Sequence, residues 1–229
     1  GPLEPDMSIA RSLMGANYLE SMTGYTGQGV AGEVIDVGFN LSHNDFNHHE
    51  LIVHGSVSTA SHGASTSGII FGDGTGSADA RGLVPDGQGI VADTVFMEGV
   101  NRYNDLQQLL NPPYEGSFQS SSVGSPRTFF YNNESASMDA ALFDLDIVVC
   151  QSQSNAGNQD SRPQAWAKNI ISVGGVNHLN TETTSDDFWS GASIGPASDG
   201  RIKPDLNSFY DNIRTVTSGG VAAYTNNFG

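Results

Sequence analysis

Sorted into apolar and polar positions, the chain breaks into short β-branched runs separated by small-residue or amphipathic segments. The runs "VAGEVIDVG" (30–38), "GIVADTVFM" (89–97), "DIVVCQS" (146–152), "NIISVGGVN" (169–177) and "NIRTVTS" (212–218) are rich in β-branched residues, and fully buried parallel strands read as such runs with few polar interruptions. Between them, "SHGASTSGII" (61–70) and "ESASMDAALFDL" (134–145) read as helices, and "NPPYEGSFQSS" as a polar loop. The alternation predicts an α/β domain in three layers: a mostly parallel, doubly wound sheet with helices on both faces. In such sheets functional groups gather beyond the carboxyl ends of the strands.

Composition narrows the partners. With 229 residues and no internal repeat or low-complexity linker, one domain around one sizeable core is expected. The leading "GPLEP" (1–5) reads as the scar of a cleaved tag, leaving 6–229 as the domain. Twenty-five acidic against nine basic residues give a formal charge of −16, which disfavours nucleic acid and anionic membranes as partners. No stretch approaches the length of a membrane span. The lone Cys150, inside an apolar run, reads as a buried thiol and excludes an internal disulfide. The compartment stays open, with a secreted or periplasmic location favoured over the cytoplasm.

Four places carry candidate chemistry. Asp36 ends the run "EVID", where a carboxylate leaving a buried strand needs a hydrogen-bond donor to offset its desolvation; taken alone it is also a plain turn-former before glycine. His62 stands at the start of a helix of small residues that ends in Ile69 and Ile70, so the helix must pack closely against something while its first turn stays exposed. By itself it reads as a surface histidine. The small polar stretch "SSSVGS" (120–125) follows a loop, and "SNAGNQD" (154–160) is a tight turn after a buried strand. Asn158 there either caps or closes the turn or points its amide into a cleft.

In this order the segments resemble the subtilisin-like serine proteases, from about Gly27 to the last residue. "GQGVAGEVIDVGFNLSHNDF" is similar to the family's aspartate motif, "SHGASTSGII" to its histidine motif, "SSSVGS" to its substrate-binding strand, and "SNAGN" to its oxyanion turn. "AKNIISVGGVN" and "DGRIKPDL" resemble two further segments flanking the active site. The resemblance implies the subtilisin-like fold and a serine endopeptidase acting on polypeptides, with Asp36 as triad acid, His62 as base and Asn158 as oxyanion donor. It also implies main-chain pairing of substrate with Ser122, Val123 and Gly124. No cofactor is required for the chemistry. The loop "GDGTGSADARG" falls where relatives hold a structural Ca²⁺, with Asp73 and Asp79 as candidate ligands.

The departures are specific. Ala64, Ser65 and Thr66 replace the usual Thr-His-Val after the His-Gly pair, and Val123 replaces a common Trp or Leu. "GGVAAYTNNFG" resembles the approach to the family's Gly-Thr-Ser motif and reaches only its glycine, Gly229. Neither Ser218 nor Ser65 has the strained turn or helix start that activates a hydroxyl. The expectation is therefore an endopeptidase domain whose nucleophilic serine comes from a C-terminal remainder, with the 229-residue chain inactive alone. The alternatives are a pseudoprotease or peptide-binding module on the same fold, and a nucleotide binder. The last is disfavoured because no glycine-rich phosphate loop follows a strand.

Overall fold

A computed structural model describes residues 7–94 and 101–229. The tag-like residues 1–5 and the end of the run at 95–97 lie outside the described residues. Seven strands form one parallel sheet: β1 (Ala31–Asp36), β2 (Ile52–Val53), β3 (Gln88–Asp93), β4 (Phe118–Ser121), β5 (Val148–Ser152), β6 (Ile171–Val176) and β7 (Leu206–Phe209), in the order β2-β3-β1-β4-β5-β6-β7. The chain lays β2 and β3 on one side of β1 and then crosses to lay β4 on the other. The carboxyl ends of β1 and β4 therefore flank a topological switch point, where such sheets open a crevice.

Alternation along the strands sends neighbours to opposite cores. On β3, Ile90 packs with Leu106 and Leu109 of α4 (Arg102–Leu109) and with Met138 and Leu142 of α5 (Asn133–Leu145). Val91 packs on the other face with Val34 of β1 and Phe71 of α3 (Ser61–Phe71). Each fully buried aliphatic side chain here contributes about 1.5–3 kcal/mol. Helix α5 starts where its sequence dictates: Asn132 Oδ1 accepts from the Glu134 and Ser135 amides, and Ser135 Oγ accepts from the Asn132 amide, a reciprocal cap. Two further helices, α1 (Met7–Leu13) and α2 (Ala16–Thr23), precede the sheet.

One strand departs from the expectation. The run at 212–218 does not extend the parallel sheet; β8 (Ile213–Val216) pairs antiparallel with β9 (Tyr224–Phe228) in a separate two-stranded sheet. This small sheet explains the composition of α3. A Cβ on Gly68 would lie 2.6 Å from Thr215 Oγ1, and Ser65 is hydrogen-bonded twice to β8, its Oγ donating to Val216 O at 2.7 Å and its carbonyl accepting from Thr215 Oγ1 at 2.9 Å. Large side chains on that face of α3 would hold β8 away.

Candidate active site

Asp36 is the last residue of β1 and fully buried. Its carboxylate is bound from three directions: Oδ1 accepts the Val37 amide at 2.7 Å and lies 2.5 Å from His62 Nδ1, and Oδ2 accepts Thr66 Oγ1 at 3.0 Å. Three donors offset the desolvation that a buried carboxylate otherwise suffers. Sequence reasoning brings Thr66 near the site without giving it this contact. It sits one turn along α3 from His62, which brings its hydroxyl to the second oxygen of the same carboxylate.

His62, second residue of α3, is about half exposed. Its hydrogen bond to Asp36 and the carboxylate's charge raise the imidazole pKa above the ordinary value of 6.5, against an opposing contribution from burial. No described residue hydrogen-bonds Nε2, and the Phe228 ring packs edge-on against the imidazole with centroids 5.4 Å apart. The close fit of α3 against the loop after β1 sets the pair's geometry. Gly38, at φ +65°, has Ala60 N 2.4 Å from where a Cβ would stand, and its amide donates to Asp93 Oδ2 at the end of β3. Gly63 is pressed against the Gly38 carbonyl, 2.1 Å from its own would-be Cβ. A side chain at either position would push His62 off Asp36.

His62 opens onto a cleft of about 260 Å³ whose walls include Ser122, Gln151, Ser154, Asn155 and Phe228. Ser122 is thus on the cleft, while Val123 and Gly124 line a neighbouring cavity with Ile35 and Met138. Gly229 also reaches the cleft. Cys150 is half-buried on its wall, with burial pushing the thiol's pKa up. Asn158 does not face this cleft: its Oδ1 accepts the Asp160 amide at 2.7 Å and closes a turn. Asn155, three residues earlier, lines the cleft with an exposed amide that bonds to no described residue. Its direction is set by Ser154, which adopts φ 103°, a conformation costly for a residue with a side chain. Segment 191–193 holds the turn there, through Ser193 N to Ser154 O at 2.6 Å and Gly157 N to Gly191 O at 2.9 Å.

Both internal serines weighed as nucleophiles are engaged elsewhere. Ser65 Oγ is buried on the Val216 carbonyl, and Ser218 Oγ shares a 2.7 Å hydrogen bond with Ser61 Oγ. The two proposed cation ligands part company: Asp79 is exposed in a short 3₁₀ turn, whereas Asp73 is partly buried beside Asp45, whose carbonyl accepts its amide at 3.0 Å. Asp45 Oδ2 and Asp73 Oδ2 are both buried without a hydrogen-bond partner, the condition of oxygens suited to a cation.

No protein-family model and no curated protein sequence matches the chain. Solved structures do. The prenylagaramide maturation protease PagA superposes with a TM-score of 0.68 at 15% identity, over 93% of this chain and 74% of that one. The PatG macrocyclase in complex with peptide gives 0.67 at 11% identity, over 100% and 79%. The psychrophilic subtilisin-like protease Apa1 from the Antarctic psychrotroph Pseudoalteromonas sp. AS-11 gives 0.66 at 15% identity, over 93% and 48%. Strand order, the helix layers and these superpositions together give the chain a subtilisin-like fold.

Proposed function

We propose that this chain is the acid-and-base part of a serine endopeptidase that hydrolyses polypeptides. The observation that carries the reading is the 2.5 Å contact between Asp36, buried at a strand end, and Nδ1 of His62, whose opposite nitrogen faces an open cleft. A histidine held in this way takes a proton at Nε2 while the carboxylate fixes its tautomer and stabilises the imidazolium. The nucleophile in this reading is a serine hydroxyl presented to Nε2 by residues that follow β9 past Gly229. It attacks the peptide carbonyl; His62 receives its proton and returns it to the leaving amine; water then releases the acyl group by the reverse transfer. Asn155 donates its side-chain amide to the oxyanion, the role assigned to Asn158 from sequence. Substrate main chain lies along Ser122 to Gly124 as an added strand. Peptide processing by PagA and the peptide held by PatG, on the same fold, agree with a polypeptide substrate. Asp45 and Asp73 would hold a structural Ca²⁺, which would stiffen the loop after α3 and supply no chemistry.

A fluorophosphonate probe tests the reading. The chain followed by its own encoded continuation is expected to label on a serine beyond Gly229, and His62→Ala is expected to remove the label. A folded, extended protein that binds peptide and takes no label would make the domain a peptide-binding module instead.

A further inference from the structure

On the sheet face opposite α3, a second group of ionisable side chains is buried where the sequence would lead one to expect only aliphatic packing. Glu33 projects from β1, His54 follows directly on β2, and Asp105 projects from α4; each is at most 1% exposed. Ile90, Leu106 and Leu109 form the core on this side, and the Tyr114 ring lies over His54 at 4.3 Å. Burying two carboxylates in such a place is costly unless something positive stands between them.

The hydrogen bonds sort the atoms of the three residues into two sets. Gln119 Nε2 donates to Glu33 Oε2 at 2.5 Å and to Asp105 Oδ2 at 2.7 Å, while its Oε1 accepts from Arg102 Nε at 2.7 Å. Gln108 Oε1 lies 3.2 Å from His54 Nε2. Each residue thus has one polar atom fixed by a glutamine, and the other three atoms face one another. His54 Nδ1 is 2.6 Å from Glu33 Oε1 and 3.7 Å from Asp105 Oδ1. Asp105 Oδ1, fully buried, accepts no hydrogen bond.

We propose that Glu33 Oε1, His54 Nδ1 and Asp105 Oδ1 form a buried structural site for a divalent transition-metal ion of the zinc type, cross-linking β1, the segment after β2, and α4. Three donors lie within 4.8 Å of one another. Metal–donor bonds of about 2.0–2.2 Å require separations near 3.4 Å, reached by small side-chain shifts. One imidazole with two carboxylates suits zinc better than calcium or magnesium, which take oxygen alone. The two glutamines act as outer partners that fix ligand orientation. Without metal, a proton shared by His54 and Glu33 fills the same space, so loading releases that proton and occurs as the chain folds.

The test starts from the 229-residue chain carrying His48→Ala and His49→Ala, because the partly exposed group His48, His49 and Asp86 is a second place for zinc to bind. The protein is refolded with Zn²⁺, passed over a chelating resin and analysed for metal. One zinc per chain is expected to stay, falling at least about tenfold in Glu33→Gln and in Asp105→Asn. Cobalt in its place is expected to give visible absorption, and zinc to shift the His54 ring nitrogens in ¹⁵N spectra of the unsubstituted site, a reading that does not depend on the variants folding. A folded chain that retains no zinc and shows no His54 shift overturns the proposal and leaves a proton as the occupant. One zinc per chain retained in both folded variants, as in the parent chain, overturns it as well.

Discussion

Replacing Asp36 with Asn removes one charge and almost no volume, so the consequences come from the donors around the carboxylate. Both oxygens receive them: Val37 N and His62 Nδ1 at Oδ1, Thr66 Oγ1 at Oδ2. An amide has only one oxygen to accept with, so its NH₂ must face a donor on one side. If the NH₂ meets His62, the ring must accept at Nδ1 and carry its proton on Nε2, the wrong nitrogen for a base. If the oxygen meets His62, the tautomer survives without the charge that stabilises the imidazolium. On the proposed reading, either outcome lowers kcat in the extended protein, by on the order of 10⁴-fold for loss of this carboxylate in a triad. The histidine reports the change directly. Its hydrogen bond with Asp36 is the main cause of its raised pKa, and burial works against it, so His62 in the Asp36→Asn protein is expected to titrate below 6.5. The base must be neutral to act, so wild-type activity rises with pH through a midpoint above 6.5, and the variant's residual activity reaches its plateau at lower pH. Stability moves in the opposite sense: the raised pKa stabilises the folded state fully below 6.5, and this contribution is lost as pH rises through the folded-state value. Ring ¹⁵N spectra of the 229-residue chain across pH supply both tautomer and midpoint. A His62 midpoint unmoved by Asp36→Asn would refute the coupling between the two residues.

Other consequences separate neighbouring residues. Asn155→Ala is expected to lower kcat about 10²–10³-fold with little change in KM, because an oxyanion exists only around the transition state; Asn158→Ala, which removes an Asx turn, is expected to leave kcat near wild type, and the reverse pattern in steady-state assays would restore Asn158 to the role. Gly63→Ala brings a Cβ against the Gly38 carbonyl and the Phe39 ring; thermal melts should show destabilisation, and spectra the loss of the His62–Asp36 hydrogen bond. In protein refolded free of transition metals, adding Ca²⁺ is expected to raise Tm in the wild type and to have no effect in Asp45→Asn, in which the proposed ligand is already lost; equal shifts in both would place the ion elsewhere.

The layer architecture is legible in the sequence because buried parallel strands leave short β-branched runs, as in "EVID" and "DIVVCQS". The run at 212–218 is likewise β-branched, yet it belongs to an antiparallel pair, since burial of β8 against α3 leaves the same trace as burial within a sheet. Asp36 and His62 can be read from their places at a strand end and a helix start. The place of Asn155 on the cleft escapes such a reading because the glycine before Asn158 draws the turn to that position, while the residue that takes up the unusual conformation is Ser154, whose side chain gives no hint of φ 103°. A signal exists in the count from the strand: Asn155 is three residues past the end of β5, close enough to remain on the cleft, and Asn158 is six. The contact of Thr66 with Asp36 can be found from its helical spacing to His62. The association of Asp73 with Asp45 rather than with Asp79 depends on how two loops meet, which no local pattern encodes.

Whether Asp36 and His62 serve a serine hydroxyl presented from beyond Gly229 is tested most directly by active-site labelling. A fluorophosphonate is applied to the 229-residue chain and to the chain with its encoded continuation, and the modified residue is located by peptide mapping. The expected result is no label on the chain alone, a label on a serine past Gly229 in the extended protein, and none there after His62→Ala. A label on Ser218, Ser65 or any other serine of the 229-residue chain would contradict it.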